Sequence, residues 1–126
     1  MIILDKDVLK EIFDKRSARG DEALKRIVES GEEINITAIN FLEVLYGLRK
    51  YAKPVRDVMK LPVLNFTKRD AALSAQIELE AERKGIPIRR TDATIAAITL
   101  NNGASLYTID LKHFQQLKVF GLKLFP

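Results

Sequence analysis

The chain of 126 residues contains no cysteine, no tryptophan and a single histidine, His113. Without cysteine there can be no disulfide, no thiolate nucleophile and no cysteine-ligated zinc. One histidine excludes a two-histidine acid–base site and the H-E-x-x-H metalloprotease motif. The glycine-rich phosphate-binding fingerprints G-x-x-x-x-G-K-[ST] and G-x-G-x-x-G are also missing. Any catalysis must therefore depend on carboxylates.

The chain has no apolar run near the ~18 residues that would span a membrane. Its beginning, MIILDKDVLK, lacks the basic segment and apolar core of a signal peptide. We therefore expect a cytoplasmic protein with no membrane partner. The length favours one domain over residues 1–126.

The net charge of +4 comes mainly from basic residues in the second half of the chain. Most of them are Arg83, Lys84, Arg89, Arg90, Lys112, Lys118 and Lys123. This excess is compatible with a polyanionic partner, although an ordinary solvated surface is the simpler interpretation of charge alone.

Strand and helix patterns alternate along the chain. The strand candidates are Met1–Leu4, residues 34–38, Pro62–Phe66, Ser105–Ile109 and Leu122–Phe125. Helices are predicted from Asp7 to Arg16, Asp21 to Glu29, Ile39 to Tyr51, Pro54 to Lys60, Thr67 to Lys84, Thr91 to Leu100 and Asp110 to Phe114, with Asp7, Thr67 and Thr91 as caps. This order predicts a three-layer α/β/α domain with a central, mainly parallel sheet, in which ligands bind beyond the carboxyl ends of the strands.

Four acids occur where this topology would bring them together. Asp5 directly follows the first strand and Asp110 follows the strand at 105–109, so both belong to the same edge of the sheet. Asp92 lies in the first turn of a helix. Glu43 lies on the rim of its helix's apolar face, and Gly47, one turn later, is expected to clear space beside the carboxylate.

Each acid also has a purely structural interpretation. Asp5 can end a strand, Asp92 and Asp110 can cap helices, and Glu43 can pair with Arg49 or Lys50. Taken together, acids about 6 Å apart would repel by roughly 3 kcal/mol per pair at an effective dielectric constant of 20. Such a cluster requires raised pKa values or a bound cation, and oxygen-only ligands select Mg²⁺ or Mn²⁺. We assign structural roles to Asp7, as a helix cap, and to His113, as a packing or surface residue.

Four segments carry a resemblance to a known family: IILDKDVL at the beginning, ITAINFLEVLYGL at 36–48, RTDATIAAITL at 90–100 and LYTIDLKHF at 106–114. In order and spacing they resemble the PIN domain family, and specifically the toxins of VapBC toxin–antitoxin pairs. The resemblance implies a Mg²⁺- or Mn²⁺-dependent endoribonuclease that forms a homodimer and is inhibited by a cognate antitoxin. It matches Asp5, Glu43, Asp92 and Asp110 to the family's catalytic, metal-binding acids and Thr108 to its supporting threonine.

Lys6 departs from the family pattern, which usually has a threonine or serine after the first aspartate. Its ammonium group either points away from the acids or reaches among them and competes with the metal; we expect an inward or rim position. Arg89 and Arg90, just before Asp92, can hold the RNA backbone or can be ordinary exposed arginines.

Two other functions are compatible with the sequence. Asp5-Lys6-Asp7 after an apolar strand resembles the D-x-D motif of haloacid-dehalogenase-like phosphatases, with Asp5 as nucleophile and Asp7 as acid–base, but no clear later pair of acids accompanies it. Alternatively, Lys6 marks a catalytically impaired PIN domain that binds RNA or a protein partner without cutting.

Overall fold

A five-stranded parallel sheet forms the centre of the computed structural model, which describes residues 1–126. The strands are β1 (Ile2–Leu4), β2 (Ile34–Thr37), β3 (Val63–Leu64), β4 (Ser105–Tyr107) and β5 (Lys123–Leu124). They lie in the order β3-β2-β1-β4-β5, and every neighbouring pair is parallel. The predicted mainly parallel sheet is confirmed, and the parallel pairing extends to the edge strand β5.

Helices connect the strands. They are α1 (Lys6–Leu9), which continues into a π-helical turn (Lys10–Asp14), α2 (Ala18–Ser30), α3 (Ala38–Lys50), α4 (Arg56–Met59), α5 (Lys68–Arg83), α6 (Arg90–Asn101) and α7 (Leu111–Phe114), followed by a 3₁₀ segment (Gln115–Phe120). None of these helices has the length and apolar character needed to cross a bilayer.

Alternate side chains of β1 enter two separate cores. Ile3 packs with Ile98 of α6 in a cluster that covers one face of the sheet. Ile2 and Leu4 point the other way and pack with Leu48 of α3. All five side chains are at most 1% exposed, and full burial of each contributes roughly 1.5–3 kcal/mol to stability. The predicted three-layer α/β/α architecture is confirmed.

The long helix α5 begins as its sequence predicts. The Thr67 hydroxyl accepts a hydrogen bond from the Asp70 backbone N–H at 3.1 Å, and the Asp70 carboxylate accepts one from the Thr67 N–H at 3.0 Å. This reciprocal capping box satisfies two backbone donors that the first turn leaves unpaired.

Three other predicted helix starts are wrong. Asp7 lies inside the first turn of α1, because that helix already begins at Lys6. Thr91 is the second residue of α6, which begins at Arg90 without a side-chain cap. Helix α2 begins at Ala18 instead of Asp21, since the Ser17 hydroxyl accepts a hydrogen bond from the Gly20 N–H at 3.0 Å and caps it.

Gly20 lies where α2 crosses the π-helical turn. A Cβ atom built at this position would lie 2.2 Å from the backbone oxygen of Glu11, well inside van der Waals contact. Only glycine permits this approach between two backbones. The crossing fixes the path of the chain directly after α1, the helix that leads away from Asp5.

Candidate active site

Asp5 and Asp110 lie at the same edge of the sheet. Asp5 follows β1 directly, and its N–H donates to the Tyr107 carbonyl at the end of β4 at 2.9 Å. Strand β4 ends at Tyr107, two residues earlier than predicted, so Asp110 stands just beyond it and caps α7 by accepting from the His113 N–H at 3.3 Å. Asp110 therefore caps a helix and also lies at the same edge of the sheet as Asp5, as predicted. We call this edge, with Asp5, Glu43, Asp92 and Asp110, the acidic edge.

Asp5 is 3% exposed and is held by two neutral side chains. The Thr108 hydroxyl donates to its Oδ2 at 2.8 Å, and the Asn40 amide donates to its Oδ1 at 3.3 Å. Burial raises the pKa of Asp5 to about 6, although the Thr108 hydrogen bond opposes that shift. Thr108 also accepts the Asp110 N–H at 2.9 Å, so one hydroxyl connects two of the four acids.

Asn40 is a site residue that the sequence analysis missed. It is fully buried on α3, and its amide lies between Asp5 and Glu43, 3.3 Å from the first and 3.5 Å from the second. Its own Oδ1 accepts from the Thr37 hydroxyl at 3.0 Å, which fixes the orientation of the amide. The signal was present in the sequence, because Asn40 precedes Glu43 by three residues and so lies on the same face of the helix.

Lys6 reaches inward to Glu43. Its Nζ donates to Glu43 Oε2 at 3.1 Å, and each side chain is about one-third exposed. This hydrogen bond raises the pKa of Lys6 above its ordinary value. Glu43 therefore pairs with Lys6 and not with Arg49 or Lys50. The expectation for Gly47 is wrong, because a Cβ atom there would meet nothing within 4 Å and glycine is not needed to clear space.

Arg89 joins the two remaining acids. Its Nε and Nη2 donate to the two oxygens of Asp92 at 2.9 and 3.0 Å, and Nη2 also donates to Asp110 Oδ2 at 3.2 Å. Asp92 is buried, so its charge is compensated mainly by this guanidinium. Arg90, by contrast, donates to both oxygens of Glu78 at 3.2 Å and makes no such contact with the acidic edge.

His113 belongs to the site and is not merely a packing or surface residue. Its Nδ1 lies 2.8 Å from both carboxylate oxygens of Asp110. Burial alone would raise the pKa of Asp110, but the contacts with His113 and Arg89 outweigh it and hold that pKa below its ordinary value. In the sequence His113 looked like one more residue of a short helix, three positions after Asp110.

The acidic edge carries more negative than positive charge. Asp5, Glu43, Asp92 and Asp110 face the two permanent cations Lys6 and Arg89, which leaves an excess of two negative charges when all four acids are ionised. The donor set is oxygen-only and suits a hard divalent cation. In the arrangement present, no three acids or histidines are grouped closely enough to hold an ion. The carboxylates fit a metal chemically, but in this arrangement Lys6 and Arg89 pair with three of them, Glu43, Asp92 and Asp110.

A cavity of about 370 Å³ opens beside Arg89. Its lining residues are Pro87, Ile88, Arg89, Lys112, His113 and Gln116. Asp7 lines a different cavity, together with Lys10, Glu11, Lys15, Arg19 and Ile109. That position gives no support to the phosphatase interpretation, which requires Asp7 to share a reaction centre with Asp5.

The chain belongs to the PIN domain family, whose model matches residues 2–119. The resemblance found in the sequence is thus confirmed. Among curated proteins it is 29% identical to the tRNA(fMet)-specific endonuclease VapC of Salmonella typhimurium over 89 residues, or 65% of this chain and 67% of that protein. It is 27% identical to ribonuclease VapC1 of Methanocaldococcus jannaschii over 127 residues, or 98% of this chain and 86% of that protein.

A solved structure has the same fold. The crystal structure of VapBC2 from Rickettsia felis, bound to a DNA fragment from its promoter, contains a chain that superposes with a TM-score of 0.82. The match covers 99% of this chain and 98% of the other at 22% identity. The family assignment excludes the phosphatase alternative and leaves two candidates, a nuclease and a binding module.

Proposed function

We propose that this chain is a metal-dependent endoribonuclease of the VapC type and the toxin of a toxin–antitoxin pair. One observation supports it above all: four acids of a PIN domain meet at the carboxyl edge of the sheet with more negative charge than their side-chain partners neutralise. Relatives named as VapC ribonucleases point to the same activity.

Asp5, Asp92 and Asp110 are the residues that would hold Mg²⁺ or Mn²⁺, with Glu43 as a direct or water-mediated ligand. Such an ion, when bound, supplies an activated water and neutralises the charge that develops on the phosphate. The protein's part is to orient the ligands. Thr108 and Asn40 fix the two oxygens of Asp5, and His113 fixes Asp110.

Cleavage of total tRNA tests the activity, and the tRNA(fMet) specificity named for the Salmonella relative makes the initiator tRNA the first candidate substrate. We expect cleavage with Mg²⁺ or Mn²⁺ and none with excess EDTA. Asp92→Asn should abolish it. Asp21→Asn is the matched control, because Asp21 lies in the first turn of α2 as Asp92 lies in the first turn of α6. Cleavage that persists in EDTA would refute the metal requirement.

The antitoxin partner is inferred from solved relatives, several of which are VapBC complexes. We expect a short reading frame for a DNA-binding protein to adjoin the gene. Co-expression of the two should yield a stable complex with reduced ribonuclease activity. Two proteins that purify separately, with activity unchanged on mixing, would contradict the proposal.

The homodimer is inferred from helix α3, as the apolar pattern of residues 39–51 predicts. Leu42, Tyr46 and Tyr51 are 66%, 65% and 68% exposed, an unusual exposure for three large apolar side chains on one helix and its end. Light scattering at micromolar concentration should give twice the mass of the chain. Tyr46→Lys should shift that mass towards the monomer, and a monomeric parent would contradict the proposal.

A second candidate, a PIN domain that binds RNA or a protein without cutting, is favoured by the ion pairs of Lys6 and Arg89 with the acids. Both cations compete with a metal for the same carboxylates. The tRNA assay separates the candidates, because an impaired domain binds tRNA but leaves it intact at any concentration of Mg²⁺ or Mn²⁺.

A further inference from the structure

Arg89 occupies the part of the acidic edge where a metal cation would bind. Both oxygens of Asp92 accept hydrogen bonds from its guanidinium, at 2.9 and 3.0 Å, and from no other group. The Asp92 side chain is only 3% exposed. Because a buried carboxylate without a partner is costly, Asp92 can release Arg89 only when another cation takes its place.

Asp110 depends less on Arg89. It accepts one hydrogen bond from Arg89 at 3.2 Å, but it also lies 2.8 Å from His113 Nδ1 and accepts the His113 N–H. When Arg89 leaves, Asp110 is still held in place. Asp92 is therefore the acid whose availability is decided by Arg89.

A second position, in the neighbouring cavity, is open to the Arg89 side chain. Its side chain is 48% exposed and it lines the 370 Å³ cavity beside the acids. Lys112 and Gln116 line the same cavity and can donate to a phosphate, and Ile88 offers an apolar wall. Most hydrogen bonds between proteins and nucleic acids are made to phosphate and sugar by such side chains.

We propose that Arg89 exchanges partners when RNA binds: it holds Asp92 and Asp110 in the free protein, and an RNA phosphate in this cavity in the complex. The exchange frees the two carboxylates for the metal. RNA and metal then bind with positive coupling, because the RNA phosphate binds the Arg89 guanidinium and the metal binds the carboxylates that Arg89 leaves. This inference rests on the proposed function and adds a control on when the site can load its metal.

Calorimetric titration with Mn²⁺ in the absence of RNA tests whether Arg89 competes with the metal for Asp92 in the free protein. Arg89→Gln should bind Mn²⁺ about five- to tenfold more tightly than the parent, the effect of losing one competing ion pair. Arg90→Gln is the control, because it removes an equal charge next door that is bound to Glu78. Should Arg89→Gln fail to fold, Arg89→Lys, whose ammonium cannot contact both oxygens of Asp92 in the bidentate way, should still bind Mn²⁺ at least about twofold more tightly than the parent.

The outcomes separate the two proposals. Unchanged or weaker Mn²⁺ binding by Arg89→Gln, with clear binding by the parent, overturns the role of Arg89 and leaves the proposed function standing. No Mn²⁺ binding by any variant at millimolar concentration overturns the metal site itself. Binding by Arg89→Gln but not by the parent supports the inference most strongly.

Whether Arg89 then contacts an RNA phosphate is tested by RNA binding with Ca²⁺ in place of Mg²⁺ or Mn²⁺, so that a divalent cation can replace Arg89 at Asp92, and gel electrophoresis checks that the RNA stays intact. Fluorescence anisotropy of a labelled single-stranded RNA at increasing KCl gives the slope of log affinity against log KCl concentration. For Arg89→Gln that slope should be smaller in magnitude by about 0.7, as expected for one lost phosphate contact. Arg83→Gln, which removes an exposed arginine paired with Glu80, is the control. A slope unchanged in Arg89→Gln, or no RNA binding by the parent at low salt, overturns the exchange.

Discussion

Asp5→Asn should abolish cleavage and at the same time make the metal-free protein more stable at pH 8. Asp5 is 3% exposed and its nearest hydrogen-bond donors, Thr108 and Asn40, are both neutral. Its charge is therefore buried without a direct cationic partner, which costs stability. The substitution removes that charge but retains the shape of the side chain.

The magnitude follows from the pKa of Asp5, which burial raises from 3.8 to about 6. A raised carboxyl pKa means that the folded protein holds the proton more tightly than the unfolded chain, so ionisation destabilises the fold. The penalty is absent below about pH 4, grows between pH 4 and 6, and reaches roughly 3 kcal/mol above pH 6. The asparagine amide loses one acceptor, which costs about 1 kcal/mol. The net gain at pH 8 is then about 1–2 kcal/mol, or a Tm higher by roughly 3–8 °C.

Thermal unfolding followed by circular dichroism in EDTA, from pH 4 to pH 8, measures this difference. The Tm of Asp5→Asn minus that of the parent should be zero or negative at pH 4 and should increase towards pH 8. Asp7→Asn is the control, because it removes an equal charge two residues away that lies in the first turn of α1. A difference between Asp5→Asn and the parent that does not change with pH would refute the reasoning.

Three further outcomes are expected. Gly20→Ala should destabilise the protein by more than about 2 kcal/mol, because its Cβ would lie 2.2 Å from a backbone oxygen. Gly47→Ala, at a half-buried position of α3 where a Cβ would meet nothing within 4 Å, should stabilise it by up to about 1 kcal/mol. Urea unfolding that ranks the two variants in the opposite order would contradict the packing. Asp70→Asn should lower stability at pH 7, and this loss should shrink below about pH 4. Burial alone would raise the pKa of Asp70, but the hydrogen bonds that its carboxylate accepts outweigh burial and lower that pKa. The carboxylate therefore stabilises the fold above its unfolded-state pKa, and this stabilisation is lost as the pH falls through its folded-state pKa. A stability difference independent of pH would show that Asp70 acts only as a neutral hydrogen-bond partner. Lys6→Thr should tighten Mn²⁺ binding by a few-fold, since it removes the ammonium 3.1 Å from Glu43, and weaker binding would mean that Lys6 supports the site.

Local patterns in the sequence were enough to predict the architecture and the edge at which the acids meet. The apolar run of β1 followed by Asp5 required only the rule that parallel strands share a carboxyl edge. The cap at Thr67 was predicted correctly, because a helix cap depends on residues only a few positions apart; the structure adds the reciprocal hydrogen bond from the Thr67 N–H to Asp70. The predicted caps at Asp7 and Thr91 were wrong, because α1 and α6 begin directly after Asp5 and Arg89, whose side chains bond to other groups and do not cap the helix.

The partners of Asp5 and Glu43 were decided by the tertiary structure alone, whereas Asp92 and Asp110 also contact Arg89 and His113, which lie only three residues away from them in the sequence. Lys6 and Glu43 are 37 residues apart in sequence, Thr108 and Asp5 are 103 apart, and Arg89 and Asp110 are 21 apart. Short-range spacing carries no information about such pairs, because they form only when the sheet order places β1 between β2 and β4. The sequence by itself therefore determined which residues carry charge and which edge they share. Packing of the strands and helices decided which distant charges meet, because Lys6 reaches Glu43 and Arg89 reaches Asp110 only in the folded chain.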